Sequence, residues 1–167
     1  MDPHGIAIHY KQQRIFYVDR NTLRSCDLDG ANVQDIYVYT TVGNHTVSTN
    51  LTDLVIDFRH NNTAFIIDSG ESPAIIATKL DFPEFYNNDT EVYDAWEGMY
   101  PTRAVATTVL ITMGNPQYIY LDDENNLVMW SDPEENQIAY QRYIKEPFDL
   151  FSPGVAFEPN EDPKRAG

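Results

Sequence analysis

GIAIHYKQQRIFYVDRNTLRSCDLDGANVQDIYV, residues 5–38, is the stretch from which the fold can be read. Gly5–Tyr10 is an apolar run. It meets the polar Lys11-Gln12-Gln13, and Arg14–Asp19 is a second apolar run closed by an acid. Two strand-like runs parted by a few polar residues make a β-hairpin. Thr22–Cys26 and Val33–Val38 add two more strands around the turn Asp27-Leu28-Asp29-Gly30, where glycine accepts a positive φ without steric cost. Four antiparallel strands per unit, repeated, build the blades of a propeller.

Working outward, the pattern returns twice. Asp53–Phe58 passes through Arg59-His60-Asn61-Asn62 to Ala64–Asp68, and Gln117–Leu121 passes through Asp122–Asn126 to Leu127–Asp132. Each is an apolar strand, a polar turn and a second apolar strand ending in Asp. Ser152–Phe157 echoes Pro3–Ile8 and reads as the opening of a fourth copy, before a polar tail at 158–167. Arg103–Thr112 is also strand-like and offers another register for the third unit. Met129-Trp130-Ser131-Asp132 is preferred as its second strand, because Asn136–Tyr140 follows it as Thr22–Cys26 follows Asp19. Tyr39–Thr52 and Asp81–Pro101 show no period and read as loops, with room for a short helix at Thr90–Met99. The expectation is all-β: an incomplete β-propeller over 1–157, with about three four-stranded antiparallel blades plus the start of a fourth.

Composition agrees with a globular β protein. Of 167 residues 42% are hydrophobic and 22% charged, with 11 Tyr and 8 Phe. Aromatic and branched side chains fit a pleated, half-buried surface. The net charge of −15 repels phosphate, which argues against nucleic acid and anionic membranes. It steers a basic protein partner favourably. No apolar run reaches the roughly 18 residues of a membrane helix, so no membrane insertion is expected. Met1-Asp2-Pro3-His4 has no secretory leader pattern. Four Asn-x-Thr sequons, at Asn44, Asn50, Asn61 and Asn88, exceed the roughly one or two expected by chance and fall in loop-like stretches. They point to glycosylation and an extracellular setting, although Asn and Thr are also common in turns. With one cysteine no internal disulfide can form, and Cys26 in a strand-like run reads as a buried, small apolar residue.

Residues 5–38 resemble an LDL-receptor class B repeat, whose hallmark strand is Tyr-Trp-Thr-Asp. The matching tetrads are Phe16-Tyr17-Val18-Asp19, Phe65-Ile66-Ile67-Asp68 and Met129-Trp130-Ser131-Asp132, and the family's Leu-Asp-Gly-Ser-Asn turn is matched by Leu28-Asp29-Gly30-Ala31-Asn32. No tetrad is complete, and His9 stands where the family usually has the Asp that Asp57 retains. The resemblance implies a six-bladed propeller. Three blades leave a face and strand edges bare, so the chain is expected to be completed by missing sequence, as a truncated product or gene fragment, by self-association, or else to be only marginally stable, with the fragment preferred. The resemblance implies that Asp19, Asp68 and Asp132 lock neighbouring blades by hydrogen bonds, and that Phe16, Tyr17, Phe65 and Trp130 fill the space between them. It also implies a ligand-binding or adhesion ectodomain with a protein partner.

Catalytic chemistry has little to stand on. There is no Gly-rich phosphate loop and no Gly-x-Ser-x-Gly elbow. The four histidines lack metal spacing. Asp122–Asn126 offers oxygens to calcium without the spacing or glycine of a calcium loop. His9, if buried beside a carboxylate, is a candidate acid-sensitive switch. The expectation is no enzyme, no cofactor and no metal. The alternative is a fragment of a calcium-dependent propeller hydrolase or lactonase.

Overall fold

The period-two alternation of the sequence becomes sheet. The computed structural model describes residues 3–38, 40–42, 45–47, 50–58, 63–71, 73–80, 103–105, 107–111, 114–145, 155–157 and 164–165. Its strands run, in chain order, β1 (His4–His9), β2 (Arg14–Asp19), β3 (Thr22–Asp27), β4 (Gln34–Val38), β5 (Thr40–Val42), β6 (His45–Val47), β7 (Leu51–Asp57), β8 (Thr63–Asp68), β9 (Ala74–Lys79), β10 (Arg103–Val105), β11 (Thr107–Ile111), β12 (Tyr118–Asp122), β13 (Leu127–Asp132), β14 (Gln137–Lys145), β15 (Val155–Phe157) and β16 (Lys164–Arg165). No helix occurs among the described residues, hence none long and apolar enough to cross a membrane.

The strands form three antiparallel meanders. The first sheet is β1-β2-β3-β4, with β10 added in parallel along β4. The second is β7-β8-β9-β11. The third is β12-β13-β14-β15, with β16 also on β14. Among the described residues the chain is all-β, as its periodicity requires, and the three hairpins ending in Asp19, Asp68 and Asp132 are all present.

Two sequence readings are corrected. Val155–Phe157 does not open a fourth sheet. It pairs with Tyr143–Lys145 and becomes the fourth strand of the third. The unpaired edge of a long, apolar β14 recruits the next short strand, which local pattern alone cannot show. Within Tyr39–Thr52, β5 and β6 pair as a small hairpin, and β7 already begins at Leu51. Of the alternative at Arg103–Thr112, Arg103–Val105 and Thr107–Ile111 belong to the first two sheets as β10 and β11, leaving Met129–Asp132 on the second strand of the third meander. The helix considered at Thr90–Met99 lies outside the described residues.

The sheets stack face to face, with the second in the middle. Successive side chains on a strand point to opposite faces. In β8 every residue is buried. Ala64 and Ile66 join Phe16, Val18 and Leu23 of the first sheet in one core cluster. Phe65 and Ile67 join Ile119, Val128, Trp130 and Tyr143 of the third in another. At about 1.5–3 kcal/mol for each fully buried large apolar side chain, these two seams dominate the stability of the stack. Each sheet therefore has a leading face toward the next sheet and a trailing face toward the previous one. Phe16 and Phe65 lead, whereas Ile66 and Trp130 trail.

Candidate functional site

At one end of the stack the strands finish in the three recurring carboxylates. Asp68 is wholly buried, and its Oδ1 accepts hydrogen bonds from the backbone N–H of Asn50 at 2.8 Å and of Gly70 at 2.9 Å. Asp132, also buried, accepts from the N–H of Asn115 at 3.4 Å and of Glu135 at 3.3 Å. In both cases the carboxylate ties the segment leading into its own sheet to the turn that follows it. A buried acid needs such donors, because desolvating it unpaired costs several kcal/mol. Asp19 is held differently. Its Oδ2 meets Arg24 Nη1 at 2.7 Å, while Arg24 Nε reaches Asp35 Oδ1 at 2.7 Å. The hydrogen bond to Asp35 holds the Arg24 guanidinium above its ordinary pKa, so it stays charged.

Residues beside these acids join the sheets. Arg20, following Asp19, accepts the backbone N–H of Leu51 at the start of β7. Ser69, following Asp68, donates its hydroxyl to the carbonyl of Pro116 at 3.5 Å, ahead of β12. Asp53 of β7 accepts the N–H of Ile119 in β12 at 3.1 Å. On its other side Gly5 of β1 lies so close that an added Cβ would stand 2.6 Å from the Asp53 Cα. The first strands of the three meanders thus run beside one another around β7. Neither Asp53 nor Gly5 carries a sequence motif, so both were missed in the sequence.

Deep between the second and third sheets Tyr143 Oη donates a hydrogen bond to Asp57 Oδ2 at 2.6 Å. Burial, reinforced by Asp57, pushes the Tyr143 phenol far above its ordinary pKa. Of the expected inter-blade residues, Phe16 lies in the first seam and Phe65 and Trp130 in the second. Tyr17 is half-buried on the trailing face of the first sheet, cross-strand from Ile6 and Arg24. His9 is buried, with Phe58 edge-on at 5.1 Å and its Nδ1 accepting from the Gln12 N–H at 3.2 Å. Cys26 is a buried free thiol.

The opposite end of the stack is built from braced acidic turns. Arg14 links Asp27, Ser25 and the Asn32 carbonyl, closing the Leu28–Asn32 turn over Gly30 at φ 84°. In the β12–β13 turn Asp122 accepts from both the N–H and the side-chain amide of Asn125, at 3.1 and 2.8 Å. The amide hydrogen bond holds the Asp122 carboxyl below its usual range, fixing negative charge on an exposed turn. An open cleft of about 290 Å³ sits beside Asp132, lined by Ser131, Pro133, Asn136, Gln137 and Ile138. Among the described residues the buried Ser131 Oγ in its lining meets no hydrogen-bond partner. Among the described residues no three His, Cys, Asp or Glu side chains converge as a metal site.

Asn50 is exposed, while Asn44, Asn61 and Asn88 lie outside the described residues. Comparison with family models and with curated proteins returns no match for this chain.

Proposed function

We propose that this chain is a protein-binding module of an extracellular receptor or adhesion protein, built as part of a β-propeller of the LDL-receptor class B type, and is not an enzyme. The observation that carries the reading is the recurrence of one unit. Three four-stranded antiparallel meanders stack in chain order, their first strands lie together around β7, and each has an acid ending its second strand. That supports consecutive propeller blades, with turns at the sheet ends free to meet a ligand. The turns are stiffened by their own hydrogen bonds and carry fixed acid charge, so a Lys- or Arg-rich protein surface is the complementary partner. The exposed Asn50 in a sequon supports the extracellular setting.

The test is titration with a lysine-rich peptide and with a glutamate-rich control. Binding of the first alone, weakening with salt and with the combined Asp122→Asn, Asp123→Asn and Glu124→Gln variant, is expected. Equal binding of both peptides, or of neither, overturns the reading. Calorimetry with calcium tests the hydrolase alternative, since tight stoichiometric uptake would favour it over a binding module.

A further inference from the structure

Among the described residues the second sheet has both faces buried, whereas the first and third each keep large apolar side chains exposed on one. On the trailing face of the first sheet Ile6 is 68% exposed and Leu28 49%. On the leading face of the third Tyr120 is 64% exposed and Ile138 54%.

Register shows what these faces are made for. Ile6 lies opposite Tyr17, as Leu54 lies opposite Ile66 and Ile119 opposite Trp130. Leu54 and Ile119 occupy that place in the other two sheets, and both are buried in the seam with the preceding sheet. Leu28 follows the partner of Arg14, just as Leu80 and Tyr143 follow the partners of Thr63 and Leu127. Those two are buried as well. On the third sheet, Ile138 lies opposite Ser131 as Leu23 lies opposite Val18 and Ile75 opposite Ile67. Leu23 and Ile75 are fully buried against the following sheet. The bare trailing face therefore matches the two buried trailing faces at Ile6 and Leu28, and the bare leading face matches the two buried leading faces at Ile138. Arg24 is the departure, standing where Ile76 and Ala139 stand, and its charge is already met by Asp19 and Asp35.

We propose that a second copy of this chain covers both faces: the trailing face of each first sheet packs on the leading face of the partner's third sheet, so that two copies close a ring of six sheets. Both halves of the contact are carried by one chain, so a second copy presents the face that each bare face fits. Six falls within the four to eight sheets of closed propellers. Tyrosines suit a contact that buries their rings while their hydroxyls find polar partners. With −15 on each chain, repulsion opposes pairing, so the dimer tightens as salt rises, opposite to a contact with a basic ligand.

The experiment is sedimentation equilibrium of the 167-residue chain across the micromolar range, with Ile8→Lys on the trailing face, where Ile8 stands two residues from Ile6 and is 40% exposed, and Tyr120→Glu on the leading face. Both positions are exposed, and circular dichroism and urea unfolding check that each variant folds. The chain is expected at twice 19.2 kDa. Each variant alone is expected to weaken the dimer about a hundredfold or more, through a charge placed in an apolar seam. An equimolar mixture of the two is expected to recover it, because one interface then keeps two native faces and the other brings opposite charges together. A native chain that stays monomeric overturns the proposal, and so do loss of the dimer in only one variant, failure of the mixture to pair, or a ladder of larger oligomers, the mark of a head-to-tail contact that does not close.

Discussion

Replacing Tyr143 by Phe removes one oxygen and keeps the ring. The side chain is 1% exposed, and its ring stands 5.0 Å from that of Phe65, so packing in the second seam is retained. What is lost is the hydroxyl donated at 2.6 Å to the buried Asp57. A hydrogen bond to a charged group contributes about 1.5–3 kcal/mol, and removing the donor leaves an acceptor lacking it away from water. A loss of about 2 kcal/mol lowers the melting temperature of a chain this size by about 4–8 °C. The change is read by urea unfolding, with the slope unchanged and the midpoint lowered. The alkaline limb gives a second reading. The folded phenol titrates well above its value of 10.0 in the open chain. Its contribution is complete below pH 10 and declines above it, as the unfolded chain ionises and the folded one does not. The advantage of the native protein over the variant should therefore shrink by about 1.4 kcal/mol per pH unit above about pH 10. A difference below about 0.5 kcal/mol at neutral pH, with superimposable alkaline limbs, would refute the claim that this contact joins the second and third sheets.

Three further outcomes are expected. Asp68→Ala costs about 2–4 kcal/mol and Asp132→Ala less, because the Asp132 contacts are longer, and urea unfolding orders them. Gly114→Ala costs more than Gly30→Ala in the same assay. Both have positive φ, for which alanine pays about 1–2 kcal/mol, but the new Cβ falls 1.8 Å from Asp132 Oδ2 in the first case and in open space in the second. Cys26 reacts with a thiol reagent only as fast as the first sheet opens, and urea below the unfolding midpoint accelerates it.

The hairpins were legible in the sequence because alternation and turn chemistry are local. Val18-Asp19, Ile67-Asp68 and Ser131-Asp132 each close a run whose pairing partner lies within about twenty residues, and the structure forms each one. Contacts between sheets were not legible. Tyr143 and Asp57 are 86 positions apart, and Asp53 and Ile119 are 66. Nothing beside either residue announces such a contact. The direction of Tyr17 was equally hidden: the resemblance implied a place between sheets, and only the strand register sets it on the trailing face of the first sheet, opposite Ile6 and Arg24. The fate of Val155–Phe157 depended on a free edge of β14, a property of the assembled sheet.

One consequence follows from a strand buried along its whole length. β8 is flanked by β7 and β9 within its sheet and covered on both faces, so its amide protons have no partial route to water. Fraying of β1 leaves it protected, and so does loss of the β12–β13 turn. Its deuterium uptake should match the free energy of global unfolding, while the outer strands exchange sooner. The middle of the stack thus sets the clock for the whole chain, and a lesion there is felt by all three sheets at once.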